Sequence, residues 1–361
     1  MPAPVSEDKP ALDATLQKVL DGPCRGPSLL PIRSRPGGLT DAGYGGPMPV
    51  PDDKPALDAI LQTVLEAVPF QLTTEGGVEA CRQRFRDLPR NPIHPEVRTE
   101  DRAIDGPAGP IPVRLYWPPD PMADAPPVVM FFHGGGWAVG DLDTYDNAAR
   151  SHAVGAGALV VSVDYRLAPE HPYPAAVDDV WAATQWVAAH ADELGADPNR
   201  LAVAGDSAGG NLAAVVAQLA RDAGGPALRF QLLWYPATTW DTSLPSFTEN
   251  ANAPILTTDA VAGFSGWYAG HVDLKNAPAT LIPGRAQSLA GLPAAYLAVA
   301  GHDPLRDDGK RYGELLAAAG VPVQVDEAAG LVHGYLSYWG VVPAATEAVD
   351  RALAALRRAL A

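Results

Sequence analysis

Leu201-Ala202-Val203-Ala204-Gly205-Asp206-Ser207-Ala208-Gly209-Gly210 decides how this chain is read. Four apolar, strand-like residues run into a Gly-x-Ser-x-Gly pentapeptide, and a helix-like run follows. In that setting a serine is held on a strained turn as a nucleophile. Gly205 and Gly209 let the turn tighten without side-chain collision, and Ala208 keeps the facing wall small. Earlier in the chain, His133-Gly134-Gly135-Gly136-Trp137 follows the apolar run Val128–Phe132. Its bare backbone N–H groups suit an oxyanion. A phosphate-binding loop would need a GxGxxG or a following Gly-Lys-Ser/Thr, and neither is present.

A serine hydroxyl needs a general base, and the base needs an acid to hold its tautomer. On a strand–turn–helix scaffold of this kind the chain order is Ser, acid, His. Three histidines follow Ser207: His271, His302 and His333. His333 sits after the last strand-like run, next to Gly334, and is the expected base. His271 falls in an irregular stretch and reads as a surface residue, while His302 directly precedes the acid candidate. Asp303, at the end of the run Ala295–Ala300, is the expected acid. Asp307 and Asp308 lie one helical turn on and read as charges that suit a helix N-terminus. The oxyanion donors are expected from Gly134, Gly135, Gly136 and Ala208, with Gly135 and Ala208 favoured. His133 and Asp206 are expected as supports for the loops, His133 as a hydrogen-bonding brace.

Around these motifs strands and helices alternate. Strand candidates are Val113–Trp117, Val128–Phe132, Leu159–Val163, Leu201–Ala204, Phe230–Trp234, Ala295–Ala300 and Pro322–Asp326. Helix candidates are Tyr145–Val154, Ala175–His190, Ala208–Asp222, Asp307–Ala319 and Pro343–Leu360. Near-continuous apolar strands between amphipathic helices imply a mostly parallel α/β sheet covered on both faces. The strands before the first long helix are expected to be antiparallel. Each motif falls on a loop at a strand's carboxyl end, where such sheets place active residues. Residues 237–280 show no clear strand and read as helical material of a lid, together with residues 48–90.

The chain's 361 residues are 47% hydrophobic with a formal net charge of -16, which permits a large core and disfavours a nucleic-acid partner. Cys24 and Cys81 belong to no Cys/His cluster, so no metal is expected. No apolar run is long enough to span a bilayer, and no charged-then-apolar leader is visible, which makes a cytoplasmic protein the expectation.

Near the N-terminus a segment recurs. Residues 8–20 (DKPALDATLQKVL) and 53–65 (DKPALDAILQTVL) differ only at positions 15/60 and 18/63. Each copy has Pro at a plausible first helical turn and apolar residues at helical spacing: Leu57, Ile60, Leu61, Val64 and Leu65 in the second. Residues 22–46 between them are rich in Pro, Gly and Arg. Residues 1–47 are expected to be a flexible or duplicated extension, 48–95 N-terminal cap helices, and 96–361 the catalytic domain with a cap contribution from 237–280.

Four stretches together resemble the hormone-sensitive-lipase family of bacterial carboxylesterases. They are His133–Trp137; Asp164-Tyr165-Arg166-Leu167-Ala168-Pro169-Glu170-His171-Pro172-Tyr173-Pro174-Ala175; Gly205–Asn211, of the Gly-Asp-Ser-Ala-Gly type; and Asp303–Gly309 with His333-Gly334. The resemblance runs from about residue 50 to the end. It implies an α/β-hydrolase fold, with a mostly parallel eight-stranded sheet, helices on both faces and a helical cap. It also implies a Ser207–His333–Asp303 triad, no cofactor, and hydrolysis of short- to medium-chain acyl esters. Tyr165, Arg166 and Glu170 are read as braces for the loops under the site. The substrate class is a small-molecule ester, and a homodimer is an open option. Rival readings are an amidase or arylformamidase on the same machinery, and a non-catalytic ligand receptor on the scaffold.

Overall fold

The computed structural model describes residues 55–361. The first repeat copy, the 22–46 segment, Cys24 and the start of the second copy lie outside the described residues. In chain order the elements are α1 (Ala59–Ala67), β1 (Gln71–Leu72), α2 (Val78–Arg86), β2 (Arg98–Ile104), β3 (Ile111–Trp117), β4 (Val128–Phe132), α3 (Asp146–Ala156), β5 (Leu159–Val163), α4 (Ala175–His190), β6 (Leu201–Asp206), α5 (Ala208–Asp222), β7 (Leu228–Trp234), α6 (Pro245–Glu249), β8 (Ile255–Leu256), α7 (Thr258–Ala269), β9 (Ala294–His302), α8 (Arg306–Ala318), β10 (Val323–Val332) and α9 (Pro343–Leu360).

Eight of the strands form one sheet in the order β10-β9-β7-β6-β4-β5-β3-β2. Every residue of β4, β5 and β6 is buried. Their unbroken apolar runs fit central strands covered on both faces. Helices α3 and α9 pack on each other, α9 also against β7, β9 and β10. Helices α4 and α5 form a second pair, with α5 against β4, β6 and β7. The pairs β2–β3 and β3–β5 are antiparallel and the remaining pairs are parallel. The expectation of antiparallel early strands therefore holds for β2 and β3 but not for β4, which runs parallel to β5 and β6.

Strand β2 (RTEDRAI) was invisible to apolar pattern, because it is the sheet's edge and mostly solvated. Its charges suit an edge that must not pair with another chain. The 237–280 stretch does contain a strand, the two-residue β8, which pairs in parallel with β1 (Gln71↔Ile255, Leu72↔Leu256). Helices α6 and α7 supply the helical material expected there. In the second repeat copy the helix starts at Ala59, not at Pro55, because the Asp58 carboxylate caps it by accepting from the N–H groups of Ile60 and Leu61. Leu61 is fully buried, whereas Ile60 is 41% exposed despite its place in the apolar spacing. Among the described residues no helix is long and apolar enough to cross a membrane.

His152 shows how polar groups enter this core. It is fully buried, its Nδ1 bonds the Ala148 carbonyl at 2.7 Å, and its Nε2 accepts from the Trp234 indole at 3.0 Å. Burial pushes its pKa down from 6.5 to about 4, with the Ala148 carbonyl opposing. The unfolded chain thus takes up this proton at higher pH than the folded one. The stability that His152 contributes is complete above 6.5 and declines as pH falls toward 4. The Tm advantage of the wild type over His152→Gln is therefore expected to narrow as thermal melts are run from pH 7 down to pH 4; a constant difference would contradict this.

Candidate active site

Strand β6 ends at Asp206 and α5 begins at Ala208, so Ser207 alone forms the turn. Its backbone has φ 55° and ψ -114°. A side-chain-bearing residue at such a position carries strain on the order of 1–3 kcal/mol, sustained only where neighbours over-determine it. The flanking glycines are required by contact. A Cβ on Gly205 would strike the Gly209 carbonyl, and one on Gly209 would strike the Phe132 carbonyl at the end of β4.

The turn presents the Ser207 hydroxyl to His333, with 2.9 Å between Oγ and Nε2. The other ring nitrogen, Nδ1, lies 2.7 Å from Asp303 Oδ2. Asp303 is fully buried, and its second oxygen accepts from the Leu305 N–H at 2.8 Å. With the proton on Nδ1, Nε2 is free to accept the serine proton. Asp303 follows β9 and His333 follows β10 directly, because β10 continues past the expected end at Asp326 to Val332. A register irregularity between Ala328 and Val332 carries the chain toward the site. His271 is exposed, as its place in the insertion implied.

The Gly134–Gly136 loop is bolted to the Ser207 turn. Asp206 is buried; its Oδ1 accepts from the Gly134 N–H at 2.7 Å, and its Oδ2 accepts from the Tyr145 hydroxyl at 3.2 Å. This corrects one expectation. The Gly134 N–H is engaged by Asp206 and is not a donor for an oxyanion, which leaves Gly135, Gly136 and Ala208. Burial pushes the Asp206 carboxyl up to about 7, while the nearby His333, the Gly134 N–H and the Tyr145 hydroxyl pull the other way. His133 Nδ1 bonds the Gly134 carbonyl at 2.8 Å, and its ring stacks on Tyr165 at 4.3 Å. Burial takes its pKa to about 4, so it is a neutral donor to that carbonyl.

Of the three residues read as loop braces in the 165–175 stretch, Tyr165 and Glu170 reach these loops, whereas Arg166 is held by Asp179 of α4 instead. Tyr165 donates to the His133 carbonyl at 2.7 Å. Arg166 clasps the buried Asp179 through two nitrogens, each at 2.8 Å. Glu170 acts through Arg82 of α2, whose guanidinium also donates to the carbonyls of Ala138 and Ala168.

A cavity of about 710 Å³ opens on Ser207. Gly136, Trp137 and Ala208 line it at the floor, with Trp240, Phe247 and Phe264 among its walls. Leu72 of β1 and Leu256 of β8 both face it, so the small parallel pair closes one side. Sequence reasoning missed Trp240, Phe264 and Asp308. Asp308 lies in the first turn of α8, as its reading as a helix N-terminal charge expects, but it is also fully buried and accepts from residues 238–240, a tie that reading does not contain. Its partners stand some seventy positions away, beyond the reach of local pattern. Among the described residues no cluster of His, Cys, Asp and Glu could hold a metal ion.

A family model described as the α/β-hydrolase fold matches residues 129–337. Esterase LipI of Mycobacterium tuberculosis is 68% identical over 293 residues, covering 81% of this chain and 92% of its own length. Carboxylesterase NlhH of the same organism is 58% identical over 301 residues, covering 82% and 93%. The crystal structure of a thermostable esterase from Pseudomonas putida aligns with a TM-score of 0.80 at 36% identity, covering 86% of this chain and 99% of that one.

Asp206 ties two loops, and its replacement tests that tie. In Asp206→Ala the Gly134 N–H and the Tyr145 hydroxyl lose their acceptor inside the core. Because a displaced oxyanion donor costs on the order of 3 kcal/mol, kcat is expected to fall about 100-fold, with a lower Tm. Asp206→Asn can still accept from Gly134 and donate to Tyr145, so it should retain most of the activity. Steady-state hydrolysis and melting of both variants check this.

Proposed function

The chain belongs to the α/β-hydrolase family, in its hormone-sensitive-lipase-like carboxylesterase branch, and on that premise we propose that Ser207, His333 and Asp303 hydrolyse short- to medium-chain carboxylic esters through an acyl-enzyme. The observation that carries this reading is the unbroken relay Asp303–His333–Ser207, at 2.7 and 2.9 Å, opening on a mainly apolar cavity.

Ser207 Oγ attacks the ester carbonyl carbon while His333 Nε2 takes the hydroxyl proton. Asp303 stabilises the imidazolium and keeps its Nδ1 proton in place. Negative charge develops on the former carbonyl oxygen, against the N–H groups of Gly135, Gly136 and Ala208. The tetrahedral intermediate collapses as His333 returns the proton to the departing alkoxide. A water then repeats the sequence on the acyl-enzyme, with His333 as its base, and the carboxylic acid leaves. The apolar walls favour acyl chains over charged groups, and the finite volume favours short to medium lengths. The described part of residues 48–95 and the stretch 237–280 act as the cap, joined through β1 and β8.

Two measurements test the assignment. Ser207→Ala is expected to lower p-nitrophenyl butyrate turnover by about 10⁶-fold, as for triads whose members act as a unit, without shifting the melt. A fluorophosphonate should label the wild type at Ser207 and leave the variant unlabelled. Persistent turnover by the variant would refute Ser207 as the nucleophile.

A further inference from the structure

We infer that Asp308 is a positioning residue for substrate choice: it clamps Thr238, Thr239 and Trp240 so that the Trp240 indole stands as a wall of the ester cavity, an inference that rests on Ser207 as the nucleophile. The clamp is dense. Asp308 Oδ1 accepts from the Thr238 N–H at 2.6 Å, the Thr238 hydroxyl at 2.7 Å and the Thr239 N–H at 2.9 Å. Its Oδ2 accepts from the Thr239 hydroxyl at 3.0 Å and the Trp240 N–H at 2.9 Å. The carboxylate is 0% exposed, and its five donors among the described residues all belong to this one tripeptide.

The clamp holds a conformation that the chain would otherwise leave. Trp240 has φ 54°, a left-handed backbone that a bulky residue rarely adopts. A carboxylate meets the need because both oxygens only accept. An asparagine offers one accepting oxygen, and its amide would oppose the Trp240 N–H. Neighbouring contacts point the same way. Asp307 accepts from the Ser246 N–H at 2.9 Å, and Arg306 pairs with Glu249 at 2.7 Å, so the first turn of α8 is fastened along residues 238–249.

The held indole matters to substrate. Trp240 lines the cavity together with Ser207. Its ring lies 5.5 Å from that of Trp137, which itself stacks on Tyr268 at 4.5 Å. Trp137 directly follows the oxyanion loop, so the aromatic wall meets the reaction centre from the side of its N–H donors. Five residues before Asp308, Asp303 holds His333. The junction from β9 into α8 therefore carries both the acid of the proton relay and the anchor of the cavity wall.

The test is a chain-length series with p-nitrophenyl acetate, butyrate and octanoate on the wild type, Asp308→Asn, Trp240→Ala and the double variant. Trp240→Ala is expected to raise the octanoate-to-acetate ratio of kcat/KM by about tenfold, the scale of a lost wall contact in an apolar pocket. Asp308→Asn should move the ratio the same way by a smaller factor, mainly through KM. The double variant should match Trp240→Ala, because Asp308 acts through that indole. A proportional loss on all three esters in Asp308→Asn, an unchanged ratio in Trp240→Ala, or multiplying effects in the double variant would each overturn the proposal. Should Asp308→Asn fail to fold, Thr239→Val removes one donor and leaves the carboxylate in place; a small shift of the ratio supports the clamp, and none overturns it. Fluorophosphonate labelling of wild-type Ser207 reports separately on the nucleophile.

Discussion

Ser207 is held at φ 55° on a turn one residue long, and the rest of the site follows from that constraint. The conformation is unfavourable in isolation, so the surroundings must impose it. Its N–H donates to the Trp234 carbonyl on β7, and its own carbonyl accepts from Asn211 in α5 and from Ala237. Strand β6 is buried at every residue, and α5 is buried along most of its length. The backbone approach of α5 to β4 explains why glycine recurs at 205 and 209: the contact leaves no room for a Cβ. Strain at Ser207 and close packing beneath it are two sides of one arrangement, because a looser helix would let the turn relax and withdraw the hydroxyl from His333.

Buried carboxylates are the second recurring device. Asp206 joins the Gly134–Gly136 loop to the Ser207 turn, Asp179 holds Arg166, Asp303 holds His333, and Asp308 holds the tripeptide at 238. A buried carboxylate is tolerable only when donors replace its lost water. Asp206, Asp303 and Asp308 meet such donors from segments 30 or more residues away and Asp179 from one 13 residues away, so each fixes a loop to another part of the fold. The device suits loops at strand ends, which share no ladder hydrogen bonds with one another. It also qualifies what the net charge of -16 conveys: some of these acids are structural ties rather than part of the solvated surface.

The central sheet and the relay were legible because their signals are local. Unbroken apolar runs marked β4, β5 and β6, and Ala175–His190, Ala208–Asp222 and Pro343–Leu360 are helices over the bounds read from the sequence. Ser207, Asp303 and His333 could be picked out because chain order and strand-end position restrict the choices. Strand β2 was hidden because an edge strand needs no continuous apolar face. Gly134 was over-read because a glycine run announces available N–H groups without saying which one a neighbour already holds. Asp308 was under-read because its five donors come from a tripeptide some seventy residues away. Local pattern records what a residue is beside in the chain, and these three depend on what it is beside in space.

The same distinction separates chemistry from selectivity. Ser207, Asp303 and His333, the groups proposed to react, stand at strand ends whose geometry is set by the sheet, and short motifs are enough to encode them. The cavity is assembled from pieces that do not adjoin in sequence: Leu72 and Leu256 meet only because β1 pairs with β8, and Trp240 enters only because Asp308 holds its backbone. Changing β1, α7 or the 238–240 tripeptide can reshape the walls while leaving Ser207 on its turn, since none of these elements supplies the backbone contacts that impose φ 55° there. A scaffold built this way can hold its reaction constant while its substrates diverge. Substrate differences among relatives should therefore track the cap and its anchors more closely than the motifs that identify the family.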